Sequence, residues 1–315
     1  MSAHTDGAAP PLTIGVPVYN GEDYLDHALA SIARQTFTDF RVVVGDNAST
    51  DATPDIASSW AARDDRFVHV RHAENIGGAR NADYLLDRSE SPWFKWAYYD
   101  DVLAPELLER SFEAIGQSPP DTVLACPRVL LVDPDDQVVG EHADGDLHMD
   151  QDLPHERLRV VLSRVVGQVQ FGVMRTAVGR QAGGVGVSLG SEMVLPASIA
   201  LRGRIVMVPG QLFSVRVHPA RHGGDRASEL AWVDPSRPRV AFPYSRSVPL
   251  LLRAVLRARL GSAETTRCLL TTVRCEARPG LRALAGDVVR LPRDLGLVGR
   301  RHPLPAGAAG ADGAP

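Results

Sequence analysis

The first hundred residues alternate between short apolar runs and amphipathic helical patterns. The apolar runs are typical of buried strands, and the stretches between them repeat apolar positions at helical spacing. The predicted order is strand 12–19, a helix to Ile32, strand 41–45, helix 52–63, strand Phe67–Val70, a helix to about Leu86 and strand Phe94–Tyr99. Strands that alternate with helices in this way predict an α/β fold, with a mainly parallel, Rossmann-like central sheet and helices on both faces.

Polar clusters follow the predicted strands. They are Asn20-Gly21, Asp46–Asp51, Asn75–Gly78 and Asp100-Asp101. The carboxyl ends of parallel strands meet at one edge of a sheet, and open α/β sheets bind their ligands at that edge. We therefore expect these clusters to form one binding site.

Asp100 and Asp101 are two adjacent carboxylates after an aromatic-rich strand. Two like charges at the end of a buried strand repel each other and are costly to desolvate. A divalent metal between them and a ligand would account for the pair. The alternative is a solvated strand end with two turn-forming aspartates.

The second half of the chain has a less regular pattern. A helix at 105–116 precedes strands at Thr122–Ala125 and Val129–Val132, a turn at Asp133–Asp136, a mostly helical region at 155–200 with a glycine-rich interruption, and strands at Ile205–Val208 and Leu212–Val217. The interruption at Gly184–Gly190 lacks the spacing of a dinucleotide loop, which argues against an oxidoreductase. From Ser247 onward, leucine and arginine alternate with helical periodicity to about residue 298.

Charge is distributed unevenly. Residues 246–302 contain 12 Arg and 4 acidic residues, an excess of eight positive charges, whereas residues 1–245 are acidic overall. The acidic body argues against nucleic acid as a partner. The basic segment is expected to be a helical cap or a homodimer surface, with peripheral contact to an anionic membrane as the alternative.

No stretch of the sequence approaches a membrane span, and the N-terminus lacks a signal-peptide profile, so we expect a cytoplasmic protein. Three cysteines without CxxC spacing argue against a disulfide framework and a thiolate zinc site. The expected organisation is a disordered N-terminus at 1–11, two halves of one domain at 12–120 and 121–245, the arginine-rich helical extension at 246–302, and a disordered tail at 303–315.

Four motifs occur in order within about 100 residues: VPVYNGE at 16–22, GDNASTDAT at 45–53, ENIGGARN at 74–81 and YDD at 99–101. Together they closely resemble family 2 glycosyltransferases, which are inverting enzymes of the GT-A fold. The resemblance is sharp for residues 12–110, looser to about 220 and absent beyond. It implies a nucleotide-sugar donor, a metal and an acceptor hydroxyl.

The resemblance also implies roles for individual residues. Asp46 would accept the N3–H of uracil or thymine between walls formed by Pro17 and Tyr19, and Glu22 would belong to the same nucleotide-sugar site. Arg80 would face the diphosphate; its alternative is an ordinary helix-surface arginine. Asp100 would contact the ribose, and Asp101 would bind Mn²⁺ or Mg²⁺, which prefer oxygen ligands.

Two further roles lie downstream. The family's general-base aspartate aligns with Glu192, a departure by one methylene group; the alternative is a glutamate favoured by the dipole at a helix start. His218, in a segment that resembles the family's closing motif, would reach the metal or diphosphate; its alternative is a turn histidine whose hydrogen bonds are satisfied locally.

These assignments predict a metal-dependent inverting glycosyltransferase that uses a UDP- or dTDP-sugar. A non-catalytic nucleotide-sugar-binding module is the alternative, because Glu192 departs from the pattern. A sugar nucleotidyltransferase would carry a glycine-rich loop with Arg and Lys after the first strand, and residues 17–20 do not match this. The acceptor, whether glycan, lipid-linked sugar, protein or small molecule, is left open.

Overall fold

A computed structural model describes residues 9–142, 147–163, 167–186, 193–218 and 247–294 of the 315-residue chain. Its strands are β1 Leu12–Val18, β2 Phe40–Asp46, β3 Phe67–Arg71, β4 Trp93–Trp96, β5 Val102–Leu103, β6 Thr122–Cys126, β7 Val129–Val132, β8 Val138–Glu141, β9 Val173–Arg175, β10 Arg204–Met207 and β11 Phe213–Arg216. Its helices are α1 Leu25–Ala33, α2 Thr53–Arg63, α3 Gly78–Arg88, α4 Leu107–Gly116, α5 Pro154–Ser163, α6 Thr176–Ala182, α7 Val194–Ala200, α8 Ser247–Arg257 and α9 Ser262–Asp294.

The central sheet has seven strands in the order β10-β6-β9-β4-β1-β2-β3. The pairs β4–β1, β1–β2, β2–β3 and β10–β6 are parallel. A second, four-stranded sheet has the order β5-β11-β7-β8. The predicted α/β fold with a mainly parallel sheet is therefore confirmed.

Strand β9 differs from the prediction. It lies inside the region predicted to be mostly helical, and it pairs antiparallel with both β4 and β6. Three residues are too few to show a period-2 pattern, so its pairing depends on buried neighbours rather than on local sequence. Strand β4 is also shorter than predicted, since it ends at Trp96 rather than Tyr99.

Two apolar clusters cover the sheet on its two faces. Leu25, Leu29 and Ile32 of α1 belong to one cluster, and Leu85 and Leu86 of α3 belong to the other. Burial of each such side chain contributes roughly 1.5–3 kcal/mol. Helices therefore cover both faces, as the pattern of strands and helices predicted.

The C-terminal helices are packed on this domain over their first part. Helix α8 buries Leu251, Ala254 and Val255 in the cluster that also contains α3, and α9 buries Cys268 and Thr272. Within the described residues, no helix is both long enough and apolar enough to cross a membrane. The first part of the arginine-rich segment is thus helical and packs on this domain.

Candidate active site

The carboxyl ends of β1 to β4 lie at one edge of the central sheet because these strands are parallel neighbours. The segments that leave this edge contain the four sequence motifs. Hydrogen bonds between loops join the first three of these motifs.

The loop after β1 is tied to the loop after β2. Asn20, at a φ of 49°, donates its backbone N–H to Ser49 Oγ at 3.0 Å, and its side-chain oxygen accepts from the backbone N–H of Thr50 at 2.9 Å. The backbone N–H of Gly21 donates to Thr53 Oγ1 at 2.8 Å. The first two motifs therefore form one structural unit.

Glu22 lies in this unit at the protein surface. Its carboxylate accepts from the backbone N–H of Ala52 at 2.9 Å, and its own N–H donates to Asp51 Oδ2 at 3.1 Å. The contacts that the structure gives Glu22 join the two loops. The sequence assigned it to the nucleotide-sugar site, which these loops border.

Pro17 and Tyr19 are placed at the end of β1. Pro17 is buried in the strand and is in register with Gly45 of β2, whereas Tyr19 is 42% exposed just beyond the strand. An exposed aromatic ring at the ligand-binding edge can stack on a planar base. Tyr19 is thus available as a wall of a base pocket.

Asp46 is the last residue of β2 and is 0% exposed. Its Oδ1 accepts from the backbone N–H of Ser49 at 2.8 Å. Its Oδ2 lies 3.3 Å from Arg71 Nη1 and 3.6 Å from His69 Nε2. Among the described residues, no donor makes a hydrogen bond of good geometry to Oδ2. A buried carboxylate oxygen in this state is a strong acceptor without a matching donor.

His69 and Arg71 are site residues that the sequence interpretation missed. Both lie on β3, and Arg71 Nη2 also donates to the backbone oxygen of Ser49 at 2.8 Å. Arg71 is about half exposed and His69 is mostly buried. The sequence contains a signal for these two residues, because basic and apolar residues alternate in β3 and the alternation places the basic ones on one face. In the structure, Arg71 is in register with Asp46.

Arg80 lies in the first turn of α3, and its side chain is exposed. The loop before α3 is fixed by Asn47, which donates to Asn75 Oδ1 at 2.9 Å and accepts from the backbone N–H of Ile76 at 2.9 Å. Gly77 has a φ of 91°, a conformation that favours glycine. The start of α3 is therefore held at the same edge as Asp46.

Asp100 and Asp101 are buried, at 8% and 1% exposure, so the interpretation of a solvated strand end is wrong. They lie in a turn beyond β4, where the backbone N–H of Asp101 donates to Tyr98 O at 3.2 Å. His218 follows β11 and its Nε2 lies 3.1 Å from Asp100 Oδ2. The fold thus brings His218 to the aspartate pair across more than 100 residues of sequence.

Lys95 is the chain's only lysine. Its ammonium group donates to the backbone oxygen of Phe171 and lies 4.6 Å from the centroid of the Phe213 ring. Burial lowers the pKa of Lys95 to about 7, and attraction to the Asp101 carboxylate opposes that lowering. Lys95 is therefore a buried countercharge for Asp101.

Arg216 holds the segment that contains His218. Its Nη2 donates to Asp136 Oδ1 at 2.6 Å, and its Nη1 donates to the backbone oxygens of Asp133 and Pro134 at 2.9 and 3.0 Å. The turn predicted at Asp133–Asp136 is present, with Asp136 at a φ of 63°. Through these hydrogen bonds the turn fixes β11 and therefore the position of His218.

The aspartates fit a divalent cation only in part. Mg²⁺ is usually bound through one or two carboxylates together with substrate phosphate oxygens, and Mn²⁺ favours similar oxygen ligands. Asp100 and Asp101 supply carboxylates and His218 an imidazole nitrogen. In the part of the chain that the structure describes, no group of three or more such side chains is arranged to hold a metal. A cation here would need ligands from a diphosphate.

Glu192 lies outside the described residues. The residues on either side of that gap, Gly186 and Met193, are described. Gly186 is the last described residue after α6, and Met193 immediately precedes α7. The assignment of Glu192 as a base is therefore still a prediction.

Comparison with known proteins agrees with this geometry. Residues 13–164 match the model of glycosyl transferase family 2. The putative glycosyltransferase EpsH of Bacillus subtilis is 28% identical over 215 residues, which are 66% of this chain and 56% of EpsH. Glycosyltransferase GlyG of Streptococcus pneumoniae is 26% identical over 114 residues, which are 36% of this chain and 38% of GlyG. The matches thus span between about two fifths and just over half of these relatives.

Two solved structures share the fold. S. aureus TarS in complex with UDP-GlcNAc has a TM-score of 0.63 at 19% identity, over 91% of this chain and 83% of the TarS chain. Mannosyltransferase PcManGT from Pyrobaculum calidifontis, in complex with GDP-Man and Mn²⁺, has a TM-score of 0.51 at 17% identity, over 90% of this chain and 81% of its own.

Proposed function

We propose that this chain, whose residues 13–164 match the model of glycosyl transferase family 2, transfers a sugar from a nucleoside diphosphate sugar to an acceptor hydroxyl. The observation that carries the proposal is the position of three buried aspartates, Asp46, Asp100 and Asp101, at one edge of a parallel sheet. Buried carboxylates are costly unless a partner compensates them. A donor with a base, a ribose and a diphosphate supplies such partners.

The base site is proposed at Asp46. Its Oδ2 would accept the N3–H of uracil or thymine, since both bases present that donor, and Tyr19 and Pro17 would flank the ring. Arg71 is the half-exposed member of the cluster around Oδ2, so its side chain must move for the base to enter. UDP- and dTDP-sugars are therefore the proposed donors.

The diphosphate end is proposed at Asp100, Asp101, Arg80 and His218. Asp100 would bind the ribose, and Arg80 would face the phosphates. Asp101 with His218 would hold Mn²⁺ or Mg²⁺, which when bound neutralises charge on the departing nucleoside diphosphate. The buried Lys95 ammonium group is attracted to the Asp101 carboxylate.

The transfer itself is proposed to invert the anomeric centre. The acceptor oxygen forms a bond to the anomeric carbon as the bond from that carbon to the phosphate oxygen breaks. The nucleoside diphosphate leaves with the electron pair, and a general base takes the hydroxyl proton. Glu192 is the proposed base.

Donor binding tests the proposal through Asp46→Asn. The amide oxygen still accepts but carries no charge, so we expect UDP affinity to fall by about 1–3 kcal/mol, the scale of a hydrogen bond to a charged group. Calorimetric titration with UDP measures it. Asp55→Asn, an exposed residue on α2, is the matched control.

Unchanged UDP affinity in Asp46→Asn would place the base elsewhere. Normal UDP binding by the wild type without turnover of any UDP- or dTDP-sugar, even to water, would instead favour a non-catalytic binding module.

A further inference from the structure

A cavity of about 250 Å³ lies between the loop after α6, helix α7 and helix α8, outside the proposed donor site. Its apolar wall includes Val185, Val194 and Leu250, and three arginines, Arg202, Arg253 and Arg257, line it as well. Among the described residues that line the cavity, none is acidic. Its described lining thus combines apolar side chains with three guanidinium groups.

Arg253 and Arg257 are four residues apart on α8, so they are neighbours on one helix face. Like charges at this spacing destabilise a helix by a few tenths of a kcal/mol, and here both side chains are exposed and line the same cavity. Among the described residues, neither forms a salt bridge with a carboxylate. An anion in the cavity would relieve their repulsion.

Arg202 approaches the cavity from a different element. Its guanidinium donates to the backbone oxygens of Ser198 at 2.7 Å and Gln181 at 3.0 Å, which fixes it against α6 and α7. These two bonds use two of its five N–H donors. Burial lowers the pKa of Arg202 below its usual range, because its charge has been taken from water. The third cation is therefore preorganised.

The size and surroundings of the cavity define the ligand class. Its volume is just below the roughly 300–1,000 Å³ of typical small-molecule sites, so it suits a charged group with a few carbons rather than a whole sugar chain. Leu256, on α8 between the two exposed arginines, is 64% exposed. The segment 246–302 has an excess of eight positive charges.

We propose that this cavity binds the phosphate group of an anionic phospholipid, with Arg202, Arg253 and Arg257 on the phosphate and the first apolar carbons against Val185, Val194 and Leu250. Guanidinium groups match phosphate oxygens in bidentate geometry. Leu256 enters the membrane interface beside the bound lipid. The site places the α8 face of the domain on an anionic bilayer, and it is independent of the proposed donor chemistry.

Sedimentation with vesicles tests the proposal on the full chain at physiological salt. The wild type is expected to bind vesicles of phosphatidylcholine with phosphatidylglycerol and not vesicles of phosphatidylcholine alone. The double variant Arg253→Gln, Arg257→Gln should bind about thirtyfold more weakly, given the contribution of each basic residue near an anionic surface. The control, Arg259→Gln with Arg274→Gln, removes two exposed charges that do not line the cavity.

A third variant changes the volume of the cavity and leaves its charge unchanged. Ala182→Phe, at a half-buried wall position, fills the recess and leaves every arginine in place, so it should also weaken vesicle binding. Equal losses in the two double variants, or normal vesicle binding by a folded Ala182→Phe variant, would overturn the proposal.

A soluble-ligand arm distinguishes lipid from free phosphate. Stabilisation by inorganic phosphate in a thermal melt, without vesicle binding, would identify a free-phosphate site and overturn the lipid assignment. The UDP affinity of the same variants should be unchanged. A failure of the donor proposal would therefore appear in UDP titration and not in vesicle binding.

Discussion

At the scale of single residues, the site depends on buried charge with incomplete compensation. Asp46 has one satisfied carboxylate oxygen and one that faces His69 and Arg71 at 3.3–3.6 Å. Asp101 is buried near Lys95, whose pKa burial lowers to about 7. Such groups are typical of functional sites.

The role of Asp101 is tested by Asp101→Asn. Because Asp101 is buried rather than exposed, the isosteric amide is preferable to alanine, which would leave a cavity. We expect Mn²⁺-dependent donor binding and turnover to be lost, with a melting temperature that still shows a folded protein. Glu106→Gln, an exposed acid nearby in the chain, is the control. Full activity in the Asn variant, or wild-type activity unaffected by EDTA, would remove the metal mechanism.

Glu192 supplies a second residue-scale prediction. Glu192→Gln keeps the shape and removes the proton affinity, so UDP binding should be intact while kcat falls by about 10²–10⁴-fold. The assay needs the true acceptor, because slow hydrolysis by water can hide the loss. A Gln variant with normal kcat would show that Glu192 is not the general base, and it would favour the alternative of a glutamate at a helix start.

At the scale of elements, helix α3 holds the loop after α6 through one carboxylate. Asp83 Oδ1 accepts from the backbone N–H of Val185 at 2.7 Å, and Oδ2 accepts from that of Gly186 at 3.3 Å. A Cβ on Gly184 would lie 2.1 Å from Asp83 Oδ1, so only glycine fits there. This contact supports both the cavity wall and the segment that leads to Glu192.

Burial raises the pKa of Asp83 to about 6 from its ordinary value of 3.8. Between these values the folded protein holds a proton that the unfolded chain has released, so the free energy of unfolding falls as pH rises from about 4 to about 6. The loss is roughly 2–3 kcal/mol. Asp83→Asn keeps an acceptor for Val185 and removes this dependence. Urea unfolding of both proteins across that range measures the difference, and a constant difference would contradict the shifted pKa.

At the scale of the whole molecule, the C-terminal helices belong to the domain core. Leu251 of α8 lies in the same buried cluster as Leu85 of α3 and Leu124 of β6. The three residues come from distant parts of the chain. Residues 247–272 are therefore expected to unfold together with the sheet rather than as an appendage.

Leu251→Ala tests this expectation. Removal of a fully buried leucine side chain should lower the free energy of unfolding by about 2–5 kcal/mol. Leu256→Ala on the same helix is the control, since its side chain is 64% exposed and should cost less than about 0.5 kcal/mol. A single urea transition in both variants is expected. Equal, small effects would mean that α8 does not stabilise the domain.

Local sequence determined the parallel half of the fold and the positions of the candidate site residues on it. Strands β1 to β3, helices α1 to α3 and the polar clusters after the strands were all predictable, because the hydrophobic period and the strand–turn–helix order are encoded within about 10 to 15 residues of each element. The α/β architecture and the positions of Asp46 and Asp100 followed from them.

Only the tertiary structure decided the rest. Strand β9 has too few residues for a period, and its place between β4 and β6 depends on two strands far away in the chain. The burial of Asp101 beside Lys95, the contact of His218 with Asp100 and the cavity with three arginines each join segments separated by helices and loops. Burial and charge pairing depend on residues that are close in space but distant in the chain, so they cannot be predicted from local periodicity.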